Sequence, residues 1–251
     1  MRKKSIYILS VVLILVIVVV WVCWRKTHDH HTIRNSPQLQ QHILNQTSSY
    51  HAQILSRDPF ILRIPNFLSS WECRQIIQAA EQKKFQRSTV VTTDRPTVDM
   101  ARTSSTVMFD RGEFPWLRCI EERISRITNT PQTHQEGLQV CRYKPGQEYK
   151  PHYDYFVPHA PGTDQALQRG GQRLITIFVY LNDVPSSSKK NGCTYFPELD
   201  LAVQPRMGTG VLWFNVLPSG HEDPRTLHAG TPPPPRAMKY GLNIWIRERV
   251  F

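Results

Sequence analysis

The chain has 251 residues, of which 40% are hydrophobic and 20% charged, so it can form a folded core and is not disordered throughout. Five cysteines exclude a disulfide-dense scaffold, and nineteen prolines with twelve glycines exclude a simple helical bundle. The net charge of +11 favours anionic surroundings, but no dense basic block interleaved with aromatic residues occurs, so no nucleic-acid partner is expected.

The N-terminal part has the pattern of a membrane anchor. Residues 1–5 form a short basic tail, and residues 6–24 are almost entirely apolar, close to the roughly 20 residues that a bilayer-spanning helix needs. A cleaved signal peptide is the alternative, but its apolar region is shorter and no small-x-small site follows here. The basic side chains before the run favour a cytoplasmic N-terminus. We expect a signal anchor in a single-pass type II membrane protein, whose remainder lies in the lumen of the endoplasmic reticulum or Golgi.

Residues 25–56 are rich in histidine, glutamine, serine and asparagine, and this polar composition predicts a stalk. The segment contains Asn45-Gln46-Thr47, an acceptor sequence for N-glycosylation in a lumenal chain. Residues 57–251 are expected to form one globular domain. Four of its residues are cysteines, which could form two bridges in an oxidising lumen, but their spacing fixes no pairing.

The globular part begins with a strand and a helix. The run Phe60–Ile64 is predicted to be a strand. Ser69 and Glu72 have the spacing of a capping box, which predicts a helix that runs to about Lys84.

A second helix is predicted to begin near Pro115, because apolar residues recur behind it at helical spacing. The polar segment Thr92–Ser105 between the two helices is predicted to be a loop.

After Gln135 the pattern changes to short β-rich runs separated by turn residues. Strands at this cadence without intervening helices are typical of a sandwich or barrel. The fold class is therefore α+β with a mainly β core and supporting N-terminal helices. The predicted strands are Leu138–Tyr143, Leu174–Leu181, Cys193–Phe196, Leu201–Val203, Gly210–Phe214 and Tyr240–Arg247.

A metal site is suggested by His152 and Asp154, because residues two apart on a strand point to the same face. A His-x-Asp sequence alone proves little, since a second one begins at His221. His228 supplies another histidine, and Lys239 follows it before the last strand. Two histidines and one carboxylate leave part of the metal's coordination open, which suits Fe(II), whereas zinc usually takes a fourth nitrogen, sulfur or water ligand. A lysine nearby can pair with the far carboxylate of a 2-oxo acid.

From Asp58 to Arg249 the chain resembles the prolyl 4-hydroxylase family of Fe(II)/2-oxoglutarate dioxygenases. The resemblance depends on an ordered set of motifs, and each of them is weak alone. They are Phe67–Ser69, Ala101–Ser105, Leu138–Tyr143, Pro145–Tyr149, Pro151–Phe156, Gly171–Arg173, Val179–Val184, Gly192–Pro197, Leu227–Gly230, Lys239–Tyr240 and Trp245–Arg247. The implied fold is a double-stranded β-helix, or jelly roll.

The resemblance implies the residues that hold the metal and the co-substrate. The iron ligands would be His152, Asp154 and His228, with His221 as the local competitor for the third place. Lys239 would hold the far carboxylate of 2-oxoglutarate. The residues implied to assist at the cofactor site are Tyr143, Thr176 and Trp245.

Contacts with a peptide are also implied. Arg102 and Ser104 would belong to a mobile substrate-gripping loop. Glu136, Tyr149 and Arg173 would line the peptide groove.

Two departures from the family pattern stand close to these positions. The connection from His228 to Lys239 is one residue longer than usual, which could displace the lysine. Arg247 stands where the family often has histidine.

The activity implied is hydroxylation of C4 of a peptidyl proline, with Fe(II), O2, 2-oxoglutarate and ascorbate. A proline-containing peptide would be the substrate partner, and the sequence predicts no oligomeric state. Two alternatives stay open. One is a 2-oxoglutarate oxygenase that acts on lysine or nucleic acid, and the other is a membrane-tethered peptide-binding module without activity.

Overall fold

The computed structural model describes residues 34–91, 96–98, 100–185 and 190–251. The predicted tail, the anchor at residues 6–24 and the beginning of the predicted stalk lie outside these ranges. Within them, no helix combines the length and the apolar character needed to cross a membrane.

Helices and strands within the described ranges follow in chain order. The α-helices are α1 (Pro37–Thr47), α2 (Ser70–Gln82), α3 (Pro115–Thr128) and α4 (Thr163–Gln168). The first seven strands are β1 (Gln53–Arg57), β2 (Phe60–Ile64), β3 (Gln86–Arg87), β4 (Thr89–Val91), β5 (Pro96–Val98), β6 (Ser105–Phe109) and β7 (Leu138–Tyr143). The others are β8 (Tyr149–His152), β9 (Arg173–Tyr180), β10 (Thr194–Phe196), β11 (Leu201–Val203), β12 (Gly210–Phe214), β13 (His228–Gly230) and β14 (Lys239–Arg247).

A large sheet forms the framework, with the strand order β1-β2-β12-β9-β14-β7-β6-β3. Its central strand β9 is buried almost throughout, and its side chains alternate between the two faces. Ile175, Ile177 and Val179 join the core that α2 and α3 cover, whereas Phe178 and Tyr180 point into a second apolar cluster on the opposite face. One face of the sheet therefore packs on helices, and the other faces the rest of the β structure.

A small sheet with the order β11-β10-β13-β8 packs on that second face. Phe196 and Val203 of the small sheet belong to the same apolar cluster as Phe178, Tyr180 and Trp213 of the large sheet. Two facing antiparallel sheets confirm the predicted sandwich, and the arrangement is consistent with a jelly roll.

The structure confirms several predicted elements. Strand β2 covers the predicted residues, as do β7, β11 and β12. The capping box is present, since the Ser69 side chain accepts from the Glu72 amide and the Glu72 carboxylate accepts from the Ser69 amide. Helix α3 begins at Pro115 as predicted.

The predicted stalk is wrong for its described part, because residues 34–56 belong to the folded unit. Helix α1 packs against α3, and Ile43 is fully buried in the main core. The Asn35 side chain donates to the carbonyl of Val216, 2.8 Å away, and β1 pairs with β2. The polar composition misled the prediction because only one side of this short helix is apolar.

The predicted loop over Thr92–Ser105 is also partly wrong. Its residues Pro96–Val98 form strand β5, which pairs with β4, and Ser105 begins strand β6. Two-residue and three-residue strands are too short to produce a recognisable alternation in sequence.

Candidate metal centre and active site

The three predicted metal ligands meet between the two sheets. Strands β8 and β13 pair in a register that places His152 opposite His228, and Asp154 follows two residues after the end of β8. The Nε2 atom of His152 is 3.7 Å from Oδ1 of Asp154, and Nε2 of His228 is 3.6 Å from Oδ2. One potential ligand atom from each residue lies within 4.8 Å of the others.

Backbone carbonyls fix the orientation of both imidazole rings. Nδ1 of His152 lies 2.8 Å from the carbonyl of Lys150, and Nδ1 of His228 lies 3.0 Å from the carbonyl of Thr226. A carbonyl only accepts, so each Nδ1 carries the hydrogen and each Nε2 keeps its lone pair. The free nitrogen atoms therefore face Asp154 as metal ligands.

The protonation states suit a cation. Burial and the neighbouring His228 hold the pKa of His152 well below its usual value, so the ring stays neutral. Burial pushes the pKa of Asp154 upward, but His228, His152 and Arg173 outweigh it and hold that pKa below its usual value. The cluster thus offers two imidazoles and one carboxylate, the facial set of non-haem Fe(II) oxygenases.

A cavity of about 330 Å³ opens beside the cluster, and β14 supplies one of its walls. Lys239, Asn243 and Trp245 line the cavity, while Leu242 and Ile244 alternate with them into the helix-covered core. The longer connection after His228 therefore does not displace Lys239 from the site.

The Lys239 ammonium group is buried, and burial lowers its pKa to about 8. Nζ donates to the Cys193 carbonyl, 3.4 Å away, and lies 4.8 Å from the centre of the Tyr143 ring. Among the residues that the structure describes, no carboxylate pairs with it. A buried cation without an anionic partner costs free energy, and a ligand carboxylate would remove that cost.

The residues therefore fit both Fe(II) and 2-oxoglutarate. The donor set matches the metal, and the unpaired cation lies in the same cavity at a position where the far carboxylate of a dicarboxylate can reach it. Tyr143 lines the cavity next to Lys239. Trp245 lines it as well, and a hydrogen bond from its side chain helps to hold the pKa of Asp154 below its usual value.

Thr176 takes a different place from the one expected. It does not line the cavity with the co-substrate residues, and its hydroxyl donates to Oδ2 of Asp154 over 2.9 Å. Its contact is with a metal ligand.

Three of the five expected peptide contacts line the cavity, namely Arg102, Tyr149 and Arg173. Tyr149 stacks on the imidazole of His152 with ring centres 3.4 Å apart. The Arg102 guanidinium lies over the Tyr149 ring, 4.7 Å from its centre. The Arg173 guanidinium stacks on Trp245 at 3.7 Å. These cations and rings form the wall around the metal cluster.

Glu136 and Ser104 do not line the cavity. Glu136 is buried and accepts hydrogen bonds from Arg173 and Arg247, so it holds Arg173 in place from outside the cavity. Ser104 is fully buried, and its hydroxyl pairs with that of Ser88. Arg247 is 2% exposed, so it supports the site from the interior.

Sequence reasoning missed part of the site. Tyr155, Phe156, Val157 and Thr163 form a further cavity wall that no motif role had assigned. Asn215 lies behind the cluster, and its only signal in the sequence is a polar residue at the end of a buried strand.

A two-sheet β core that holds two histidines, one aspartate and a buried lysine defines an oxygenase of the non-haem iron, 2-oxoglutarate-dependent class. Residues 138–247 match the 2OG-Fe(II) oxygenase superfamily. The chain belongs to the prolyl 4-hydroxylase family of these enzymes. It is 35% identical over 220 residues to "Probable prolyl 4-hydroxylase 10" of Arabidopsis thaliana, which covers 79% of this chain and 72% of that protein. "Prolyl 4-hydroxylase 5" of the same organism is 33% identical over the same length, with the same coverage.

Solved structures agree with the fold. The 2OG complex of a viral collagen prolyl hydroxylase from Paramecium Bursaria Chlorella virus-1 is 30% identical, with a TM-score of 0.58 over 74% of this chain and 95% of that chain. A prolyl-4-hydroxylase of Pseudomonas putida is 16% identical, with a TM-score of 0.54 over 84% of this chain and 100% of that chain.

Proposed function

We propose that this chain hydroxylates C4 of a peptidyl proline, using Fe(II), O2 and 2-oxoglutarate and releasing succinate and CO2. The observation that carries the proposal is the placement of His152, Asp154, His228 and the unpaired Lys239 in one cavity. Family membership supports it, since the curated relatives are named prolyl 4-hydroxylases.

Each group of residues has a separate task. His152, Asp154 and His228 would hold Fe(II), which when bound supplies the oxidising chemistry that couples 2-oxoglutarate breakdown to hydroxylation. Lys239 neutralises the far carboxylate of 2-oxoglutarate and thereby orients the molecule toward the triad. The two sheets exclude water from both, which strengthens the charge pairing.

The wall of the cavity suits an extended peptide. Tyr149, Tyr155, Phe156 and Trp245 provide aromatic surface, and a proline-rich chain in the polyproline II form binds such surfaces at low entropic cost. Arg102 and Arg173 add donors for peptide carbonyls, which polyproline II leaves without internal hydrogen bonds.

The deciding experiment measures succinate release by the iron-loaded protein with ascorbate and 2-oxoglutarate, with and without proline-rich peptides. The proposal expects peptide-stimulated succinate together with the mass gain of one oxygen atom on proline. Succinate that only a lysine peptide or a nucleic acid stimulates would transfer the assignment to another substrate. Folded, iron-loaded protein that binds peptide and releases no succinate would instead be a binding module.

We also propose that residues 6–24 anchor the enzyme as a type II membrane protein with its catalytic domain in the lumen of the endoplasmic reticulum or Golgi. The apolar run and the basic residues before it support this. In microsomes, the full chain should resist carbonate extraction and its domain should be protected from added protease until detergent is present. A chain released by carbonate, or one digested without detergent, contradicts the anchor or its orientation respectively.

A further inference from the structure

A buried chain of hydrogen bonds ends at the metal-ligand carboxylate. The indole N–H of Trp213 donates to Oδ1 of Asn215, and Nδ2 of Asn215 donates to the hydroxyl of Thr176, each over 2.9 Å. The Thr176 hydroxyl donates to Oδ2 of Asp154, also over 2.9 Å. Trp213, Asn215 and Thr176 are at most 1% exposed, so water does not compete for these bonds.

The direction of this chain is fixed by its first member. An indole nitrogen can only donate, so Trp213 must face the amide oxygen of Asn215. The amide nitrogen is then left to donate to Thr176, whose oxygen becomes an acceptor. The single hydroxyl hydrogen of Thr176 is therefore directed at Asp154. Reversing any one bond would leave a buried donor or acceptor unsatisfied.

The backbone holds the same residues rigidly. In the strand register Thr176 lies between Trp213 on β12 and Trp245 on β14, so all three side chains point toward the small sheet. The backbone N–H of Asn215 donates to the Leu174 carbonyl over 2.8 Å, which keeps its side chain beside β9. The backbone bond and the two side-chain bonds together restrict movement of the Asn215 side chain.

Trp213 also contacts a second metal ligand. Its ring meets that of His228 with centroids 4.7 Å apart and an interplanar angle of 64°. One residue thus packs against a histidine ligand and begins the hydrogen-bond chain to the carboxylate ligand.

We propose that Trp213, Asn215 and Thr176 are positioning residues that hold the Asp154 carboxylate in its metal-binding orientation. A hydroxyl hydrogen directed at Oδ2 favours the ionised carboxylate and fixes its plane. Outer partners of this kind typically contribute 10–100-fold in metal affinity. Thr176 thereby has a role at the metal, in place of the co-substrate contact that the family resemblance implies. The inference rests on the iron site of the proposed function and requires no particular substrate.

The test is calorimetric titration of the metal-free protein with Co(II), a redox-stable stand-in for Fe(II), without 2-oxoglutarate or peptide. Thr176→Val keeps the side-chain shape and removes the hydroxyl, and it should weaken Co(II) binding about 10–100-fold. Thr176→Ser keeps the hydroxyl and should restore affinity close to that of the parent. Trp213→Phe keeps the ring against His228 and removes the N–H, so it should weaken binding in the same direction by a smaller factor.

A matched control is Thr128→Val, which removes a buried hydroxyl from helix α3, bonded to the Ile124 carbonyl. It should lower the melting temperature and leave Co(II) affinity unchanged. A positioning role at Asp154 also predicts an unchanged KM for 2-oxoglutarate in Thr176→Val at saturating Fe(II).

Parent-like Co(II) affinity in Thr176→Val with a raised KM for 2-oxoglutarate would contradict the positioning role and show that Thr176 acts on the co-substrate instead. Parent-like affinity in Trp213→Phe would overturn the extension beyond Thr176. If the valine variant does not fold, as judged by circular dichroism, Trp213→Phe decides alone. Because binding is measured without turnover, failure of proline hydroxylation would leave this result intact.

Discussion

Lys239 lies opposite Tyr143 in the register of β14 and β7, and its ammonium nitrogen is 4.8 Å from the centre of the tyrosine ring. Gly230 makes room for the pair, since a Cβ there would be 3.3 Å from the tyrosine hydroxyl and 3.7 Å from Nζ. The rings of Phe178 and Tyr180 lie near the same cation. The buried ammonium group therefore lowers the stability of the ligand-free fold, and a bound anion would remove that cost.

Substituting Lys239→Met should therefore stabilise the ligand-free fold and impair co-substrate binding. Burial lowers the lysine pKa from 10.5 to about 8, so the folded state disfavours the charged form by about 3 kcal/mol. The penalty is complete below pH 8 and disappears as pH rises to 10.5, so the gain in unfolding free energy should be largest near neutral pH. Urea denaturation without ligands measures it, and KM for 2-oxoglutarate should rise at least tenfold.

The exposed residue Lys84 provides the control for that substitution. Lys84→Met removes the same charge from the surface and should change neither the unfolding free energy nor KM appreciably. A destabilised Lys239→Met protein would show that the ammonium group has a favourable partner in the ligand-free state.

The same pKa predicts the pH dependence of co-substrate capture. The free enzyme needs protonated Lys239, so kcat/KM for 2-oxoglutarate should fall as pH rises through about 8. The titratable groups that face it are Tyr143, Tyr180, Cys141 and Cys193, and burial raises the pKa of the first three, which keeps them neutral there. At saturating 2-oxoglutarate, kcat should change less, because the bound carboxylate raises the lysine pKa.

Lys239→Arg is the matched control for this profile, since arginine stays charged throughout. Its kcat/KM should be lower at pH 7 and should lack the decline near pH 8. An unaltered decline in that variant would assign the titration to another group.

Removing the third metal ligand should separate binding of metal from binding of peptide. His228→Ala is expected to lose Co(II) binding and succinate production while keeping peptide affinity, because the wall residues stay in place. His221→Ala is the control, since His221 is exposed and bonds Ser219 away from the cluster. Loss of Co(II) binding in the His221 variant would contradict the assigned ligand set.

Patterns in the sequence predicted much of the β core. Short β-rich runs bounded by turn residues located β7, β11 and β12 at their observed bounds. Helix α1 escaped prediction, since a few apolar side chains on one face were outweighed by polar neighbours. Strands β8 and β13 escaped as well. They are short, and their residues are selected for the metal cluster rather than for packing.

The site divides in a similar way. Ligand types suggested His152, Asp154, His228 and Lys239, and the resemblance to the family gave each of them its role. Partners such as the donor to Asp154 depend on cross-strand register, which a sequence without its fold does not contain. The bond from Thr176 to Asp154 is one that the sequence alone did not predict.

Glu136→Gln should destabilise the protein strongly and weaken peptide capture. The carboxylate is bound by Arg173 and Arg247 at 2.7 Å and 3.0 Å, and its loss leaves two buried guanidinium groups without a counter-charge. A loss of about 3–5 kcal/mol in the unfolding free energy is expected. Burial opposes the ionised form, but the two arginines hold the Glu136 pKa below its usual value. The difference from the parent should therefore diminish as pH falls through that lowered pKa.

Glu81→Gln is the matched control, because Glu81 pairs with Arg142 near the surface. Its cost should stay below about 1 kcal/mol. With Arg173 released, KM for peptide should rise in the Glu136 variant while KM for 2-oxoglutarate stays close to that of the parent. Equal losses of unfolding free energy in the two variants would show that the buried Glu136 network contributes no more than a surface ion pair.

Residues 34–56, the described part of the predicted stalk, should stabilise the folded domain. A chain beginning at residue 57 lacks α1 and all of β1 except its last residue, so it loses the buried Ile43 side chain and the bond from His42 to the Arg126 carbonyl. It also exposes the edge of β2, which otherwise pairs with β1. Compared with a chain beginning at residue 34, it should melt at a lower temperature and aggregate more readily. Ile43→Ala in the longer chain should cost about 2–5 kcal/mol, since it leaves a cavity under α1. If both chains melt alike and Ile43→Ala has no effect, α1 adds nothing to the stability of the domain and the earlier interpretation of a stalk is correct.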